Sequence, residues 1–244
     1  MNYKAVLQYD GTRYRGWQTQ GNTDNTIQGK LETLLTKMAG EPVEVNGSGR
    51  TDAGVHAAGQ VISFRCKTKE SPEEICRYMN EYLPEDIVVL SVEEAAPRFH
   101  ARLNAVRKTY VYRIWNAPVR NVFRRRFTTW IQKPLDLDAM EQAATLLCGT
   151  HDYRAFCSQK KFKKSTVRTI EKIEIGKMGQ EIRISYTGDG FLYHMVRILT
   201  GTLVEVGLGL RKPEEMTEIL EGQDRTKAGR LMPPEGLTLE SVEY

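Results

Sequence analysis

Several things are scarce in this chain. Its 244 residues include four cysteines, Cys66, Cys76, Cys148 and Cys157, and no two of them stand in C-x-x-C spacing. That excludes the common zinc and thioredoxin-type arrangements. Four cysteines in a chain this long read as small buried hydrophobes rather than as a disulfide framework. The four histidines, His56, His100, His151 and His194, lack metal-ligand spacing, so no metal is expected. No apolar run approaches membrane-spanning length, and tyrosines and Asp10 break MNYKAVLQYD as a signal segment. No membrane contact is therefore expected, and the cytoplasm is the expected location. Nucleotide loops are missing too. Gly49 is followed by Arg50 where a phosphate loop needs lysine, and Asp52 stands where a dinucleotide fingerprint needs glycine. There is no G-x-S-x-G nucleophile elbow, and no cofactor is expected.

Acid is missing from one long stretch. Between Arg98 and Lys133 stand ten lysines and arginines and no aspartate or glutamate, while residues 70–97 carry eight acids and one arginine. A second basic run, KKFKK, covers Lys160 to Lys164. Net charge is only +4, so it is the segregation that creates basic surface, and a polyanion such as nucleic acid is its natural partner. A solvated face with no partner explains the same charges. Tyr14 and Trp17 in GTRYRGWQ, and Tyr110 and Tyr112 in RKTYVYR, favour RNA, because arginine grips phosphate while aromatic faces stack on unpaired bases. Tyr112 also alternates as a strand core residue does.

With 40% hydrophobic and 27% charged residues the composition is that of a globular protein. Residues 3–9 read as a strand. Apolar positions 27, 31, 34, 35 and 38 form a helical stripe, capped by Asn25 or Thr26 and stopped by Gly40. Short strands follow at 42–46 and 59–66. Ser71, Pro72 and Glu74 form a helix start with a capping box, and that helix ends before Pro84. A strand covers 87–92. The order β-α-β-β-α-β is ferredoxin-like. The second half partly repeats it: a strand at 109–116, a helix from Asp136 or Asp138 to Cys148, a hairpin of 168–176 and 181–187 around Gly179, an apolar helix over 191–206, a short helix from Pro213, and a strand at 237–244. The expected fold is α+β, with two such units, 1–103 and 104–244, their largely antiparallel sheets side by side with a cleft between.

The segment GSGRTDAGVHAAG, residues 47–59, places Arg50, Asp52 and His56 among four glycines and three alanines. Small residues let a backbone bend sharply or let a ligand come close. In an extended loop Arg50 and Asp52 face the same way, and a guanidinium beside a carboxylate keeps it ionised as a nucleophile or base. A turn in which Asp52 merely accepts backbone N–H bonds is an equal reading. Arg197, alone in an apolar helix, is either solvent-facing or a buried, paired charge.

GRTDAGVHAAGQVISF resembles the central motif of tRNA pseudouridine synthases of the A family. The stretches YDGTRYRGWQTQ, TIQGKLE, FHARLNAVRKTYVYRI, DYRAFC, GFLYHMVRILTGTLVEVG and GLTLESVEY are similar to that family's other blocks, in the same order. Met232 and Thr238 depart from it, standing where a small residue and an aromatic are common. The resemblance implies the pseudouridine synthase fold, in which two ferredoxin-like or RRM-like sheets join into one around a central basic cleft. It implies an isomerase without cofactor that converts uridine to pseudouridine at positions 38, 39 and 40 of the tRNA anticodon stem-loop, and a homodimer. It makes Asp52 the essential carboxylate, Arg197 its basic partner, Tyr110 the aromatic that stacks on the flipped base, Leu237 an apolar contact to that base, and Arg50 a clamp on the flipped nucleotide. Charge alone nominates Arg13, Arg15, Lys108, Arg124, Arg125, Arg126, Lys160, Lys161, Lys163 and Lys164 as phosphate contacts. A non-catalytic RNA-binding protein of ferredoxin-like topology is the alternative; it would not need Asp52.

Overall fold

The computed structural model describes residues 1–244. In chain order its elements are β1 (Asn2–Tyr9), α1 (Ile27–Ala39), β2 (Val45–Gly47), β3 (His56–Arg65), α2 (Pro72–Tyr82), β4 (Ile87–Glu94), β5 (Arg107–Asn116), β6 (Thr129–Ile131), α3 (Leu137–Leu146), β7 (Gly149–Asp152), β8 (Val167–Met178), β9 (Glu181–Gly188), α4 (Met195–Gly207), α5 (Glu215–Gly222) and β10 (Leu237–Glu243). Single 3-10 turns cover Gly11–Arg13, Tyr153–Phe156 and Pro234–Gly236. The chain divides into two compact units: Met1–Val106 with Thr238–Tyr244, and Arg107–Leu237. The closing strand, which the sequence reading groups with the second half, thus lies almost wholly in the first unit.

In the first unit local signals set the helix ends. The Thr26 side chain caps α1 by accepting from Gly29 N, and Gly40 ends the helix in the left-handed region at φ 70°. Ser71 and Glu74 close a reciprocal capping box on α2, with Pro72 in its first turn. Ile27, Leu31, Leu34 and Leu35 make the buried stripe of α1, and every second residue of β1 is buried. Each such side chain contributes about 1.5–3 kcal/mol by leaving water. β1 pairs antiparallel with β3 and β4, and β2 pairs antiparallel with β3. The order β4-β1-β3-β2 is that of a ferredoxin-like sheet. The outer edge of β3 is shared: β2 covers residues 62–64, and β10 lies parallel against His56 and Ala57. That second pairing explains why β3 begins at His56, inside the glycine segment, and not at residue 59.

The second unit repeats part of this order. β5, β9 and β8 are successive antiparallel neighbours, as β1, β3 and β2 are, with β7 beyond β8 and β6 parallel to β5. The β8–β9 hairpin turns through Gly179 at φ 60°. α4 is buried on every side except at Glu205. It starts four residues later than the apolar pattern suggests, because His194 sits in the left-handed region at φ 65° and interrupts the helix there. α3 stops at Leu146, two residues short of Cys148, and residues 149–152 form β7, which periodicity does not reveal.

Candidate active site

In the first unit the glycine segment is fixed at several points. Ser48 N–H donates to Val61 O at 2.8 Å. The Ser48 hydroxyl donates to Gln60 Oε1 at 2.6 Å, and Gln60 Nε2 donates to Gly49 O at 2.9 Å. Thr51 is buried. Its carbonyl accepts from Trp17 N at 3.0 Å, and its hydroxyl bonds the Tyr9 hydroxyl at 2.8 Å. Burial pushes the Tyr9 phenol up to about 12, against the smaller effect of its hydrogen bonds, so this link is neutral. Asp52 O then accepts from Val55 N at 3.1 Å around Gly54 at φ 79°, a turn that needs glycine there. Arg50 is exposed, Thr51 buried and Asp52 half-buried, an extended alternation that turns both charged residues outward.

Glycines elsewhere explain how this segment is held. A Cβ on Gly11 would lie 2.0 Å from Val55 O, one on Gly16 would lie 2.9 Å from Thr51 O, and one on Gly47 would lie 2.5 Å from the Trp17 indole. The YDG and RGW stretches therefore press backbone to backbone on the segment that bears Asp52. The spacing of the glycines hinted at close approach but did not say to what.

In the second unit α4 carries Arg197, which is 8% exposed. Its Nε donates to Met232 O at 2.7 Å, and its carbonyl accepts from Met232 N at 3.3 Å. The 229–232 strand of chain lies directly on the helix: a Cβ on Gly201 would meet Arg230 O at 1.9 Å, and Gly229 N–H donates to Thr202 Oγ1 at 2.8 Å. The Tyr112 hydroxyl donates to Pro233 O at 2.7 Å and bonds Thr129 Oγ1 at 2.6 Å, which holds the segment leading to Leu237. Leu237 is buried. Tyr110, on β5, is 8% exposed and meets Phe191 edge-on, with ring centroids 5.3 Å apart. Met232, one of the departures from the family pattern, is buried and supplies the carbonyl that Arg197 holds.

The basic residues divide. Arg13 and Arg15 are exposed on either side of Tyr14, but Tyr14, Trp17 and Tyr112 are core aromatics and not stacking platforms. The Tyr14 hydroxyl donates to Asp86 Oδ1 at 2.5 Å, and burial followed by that carboxylate raises its pKa. Arg124 is engaged by the buried Glu181, which Arg183 also grips at 2.7 Å. Burial works to raise the Glu181 pKa, but hydrogen bonds and charge from Arg183 and Arg124 outweigh it and hold the carboxyl below the usual range. Arg125 and Arg126 are exposed, and Lys108 is half-buried. Lys160, Lys161, Lys163 and Lys164 are exposed around a half-buried Phe162, over whose ring the Arg154 guanidinium lies at 5.6 Å. All four cysteines are free. No group of three or more His, Cys, Asp or Glu side chains is placed to hold a metal ion. No helix is long and apolar enough to cross a membrane.

A family profile described as tRNA pseudouridine synthase matches residues 5–104 and 143–244. Asp52, Arg197 and Leu237 fall inside the matched stretches and Tyr110 falls outside them. The chain is 48% identical over 243 residues to tRNA pseudouridine synthase A of Bacillus sp. (strain KSM-64), covering 100% of this chain and 99% of that protein. It is 47% identical over 241 residues to tRNA pseudouridine synthase A of Brevibacillus brevis, covering 99% and 98%. It is 44% identical over 243 residues to tRNA pseudouridine synthase A 2 of Bacillus anthracis, covering 100% and 99%. A match over most of the chain, with relatives aligned end to end, places it: the chain belongs to the tRNA pseudouridine synthase family.

Proposed function

We propose that this isomerase converts uridine to pseudouridine at positions 38, 39 and 40 of the tRNA anticodon stem-loop, with Asp52 as its essential carboxylate. The N1–C1′ bond breaks, the uracil turns, and a C5–C1′ bond forms. The C5 proton leaves to solvent and N1 takes one up. The target base must leave its stack first. Tyr110 stacks on it, Leu237 packs against it, Arg50 holds the flipped nucleotide, and Arg197 supplies positive charge for the Asp52 carboxylate. Arg13, Arg15, Lys108, Arg125, Arg126 and the lysines of residues 160–164 take phosphates. Arg124, already engaged by Glu181, contributes less than its neighbours. Serving three adjacent positions requires backbone charge and RNA shape to do more than base-edge contacts. The working form is a cytoplasmic homodimer.

The observation that carries this reading is the setting of Asp52. It is half-buried in a turn tied on one side to Tyr9 and Trp17 and on the other to its own Val55 N–H. A carboxylate held in this way meets a reacting centre in one geometry, which is where much of catalysis by positioning lies. The test is tritium release from tRNA labelled at C5 of uridine, with wild type and Asp52→Asn. Release by wild type and none by a folded, tRNA-binding Asp52→Asn supports the assignment. Equal release by both refutes it.

A further inference from the structure

We infer that His56 is a positioning residue for Asp52, acting through the backbone of Gly11. This rests on the reading of Asp52 as the essential carboxylate.

His56 opens β3 and is buried. Its Nδ1 accepts a hydrogen bond from Gly11 N at 3.1 Å. The Gly11 N–H is the donor in this bond and Nδ1 the acceptor. Asp10 Oδ1 lies 3.2 Å from the same Nδ1. That oxygen caps the 3-10 turn, accepting from Thr12 N at 2.9 Å and from the Thr12 hydroxyl at 2.5 Å. The imidazole thus joins the start of β3 to the tip of the β1 loop, at the place where Gly11 already abuts Val55 O.

The consequence for Asp52 follows from chain length. Thr51 is tied to Tyr9 and Trp17, and His56 is tied to Gly11, whose backbone also packs against Val55 O. Asp52 lies between those anchors in a turn closed by its own carbonyl. Four residues suspended between two anchors cannot absorb a shift of either one, so loosening the Gly11 contact moves the Asp52 carboxylate. Removing the Nδ1 acceptor also leaves a buried N–H donor without its bond, which drives the loop away. His56 does not touch the reacting atoms in this account. It sets where Asp52 meets them.

The test compares His56→Leu, which removes the acceptor, with His56→Asn, whose Oδ1 stands at the same bond distance from the backbone as Nδ1. Wild type and Asp52→Asn are measured alongside, by single-turnover tritium release over a range of enzyme concentrations. Amide exchange is followed at Gly11 and Val55. The inference requires a folded His56→Leu with unchanged tRNA affinity, faster exchange at Gly11 and a turnover rate down about a hundredfold, as a displacement of about 1 Å produces. His56→Asn must recover at least about tenfold of that loss. A folded His56→Leu turning over at the wild-type rate overturns the inference. So do equal losses in the Leu and Asn variants, or a loss confined to tRNA affinity. If Asp52→Asn turns over like wild type, the assignment of Asp52 fails first, and this inference fails with it. Should His56→Leu not fold, the Asn variant decides: wild-type Gly11 exchange and near-wild-type turnover sustain the inference, and protected Gly11 with lost turnover overturns it.

Discussion

Replacing Gly201 by alanine sets two effects against each other inside α4. In a helix interior alanine is favoured over glycine by about 1 kcal/mol, so on propensity alone the change is stabilising. The packing says the opposite. A Cβ at 201 would lie 1.9 Å from the carbonyl oxygen of Arg230, where real Cβ contacts stop at 3.0 Å, and the obstacle is backbone rather than a flexible side chain. Helix and segment must separate by about 1 Å, and overpacking of this kind costs about 1–3 kcal/mol. The separation also breaks the buried bond from Gly229 N to Thr202 Oγ1, and an unsatisfied buried donor costs about 1–3 kcal/mol more. Net of propensity, Gly201→Ala destabilises by about 3 kcal/mol. The thermal midpoint then falls by roughly 6–12 °C. Arg197 is held by both backbone groups of Met232, two residues past the clash, so its guanidinium moves as well and tritium release slows. Gly222→Ala, in open space at the end of α5, is the control and changes stability by no more than about 0.5 kcal/mol. Calorimetry and urea unfolding read the outcome. A Gly201→Ala protein as stable as wild type, or more so, would refute the claim that contact of the two backbones outweighs helix propensity here.

Gly11→Ala meets the same kind of obstacle at Val55 O; it should lower stability by about 1–3 kcal/mol and slow turnover without weakening tRNA binding, whereas Gly21→Ala, in open space, does neither. Tyr112→Phe removes the hydroxyl that joins Thr129 to Pro233 O, and a urea midpoint showing a loss smaller than about 1 kcal/mol would count against its role as a tie. The lowered Glu181 pKa means its contribution is present above the ordinary carboxylate range and disappears as pH falls through the lower folded value. Glu181→Gln should therefore be less stable than wild type at pH 7, with the difference closing below about pH 4; a difference independent of pH contradicts the ion-pair account. Neutralising Lys160, Lys161, Lys163 and Lys164 together should flatten the fall of tRNA affinity with salt, and an unchanged slope would remove that loop from the phosphate contacts.

What was legible in the sequence was local. The caps of α1 and α2 are decided within four residues of the helix start, by Thr26 and by Ser71 with Glu74, and the order of elements in the first hundred residues follows from such signals. The errors lie where a distant partner decides. β3 begins at His56 because Thr238 pairs beside it, and nothing within residues 47–59 announces that. Tyr14 and Trp17, read as faces for RNA, are buried because Asp86 takes the Tyr14 hydroxyl and the glycine segment packs on the Trp17 indole. Arg124 stands in an acid-free run, yet its carboxylate comes from Glu181 on β9. For Arg197, residue chemistry left burial and exposure open; burial on α4, with the Met232 carbonyl at its Nε, was beyond the reach of periodicity.

The glycines connect these cases. In the first unit Gly11 abuts Val55, Gly16 abuts Thr51 and Gly47 abuts Trp17; in the second Gly201 abuts Arg230 and Gly229 abuts Thr202. Each contact joins stretches far apart in the chain, and none tolerates a methyl group without a shift of neighbouring atoms. One set surrounds Asp52 and the other surrounds Arg197. Side chains grip each other at their flexible ends, where a small error is absorbed. Backbones in contact have no such slack, so a residue mounted between them inherits their rigidity. Under the proposed assignment the Asp52 carboxylate must meet one flipped uridine in one orientation, and that rigidity is the property to be built. It accounts for glycine on both sides of the contacts: Gly47 within the segment lets the Trp17 indole come close, and Gly11 outside it lets its backbone lie against Val55 O, so that the turn bearing Asp52 is held still.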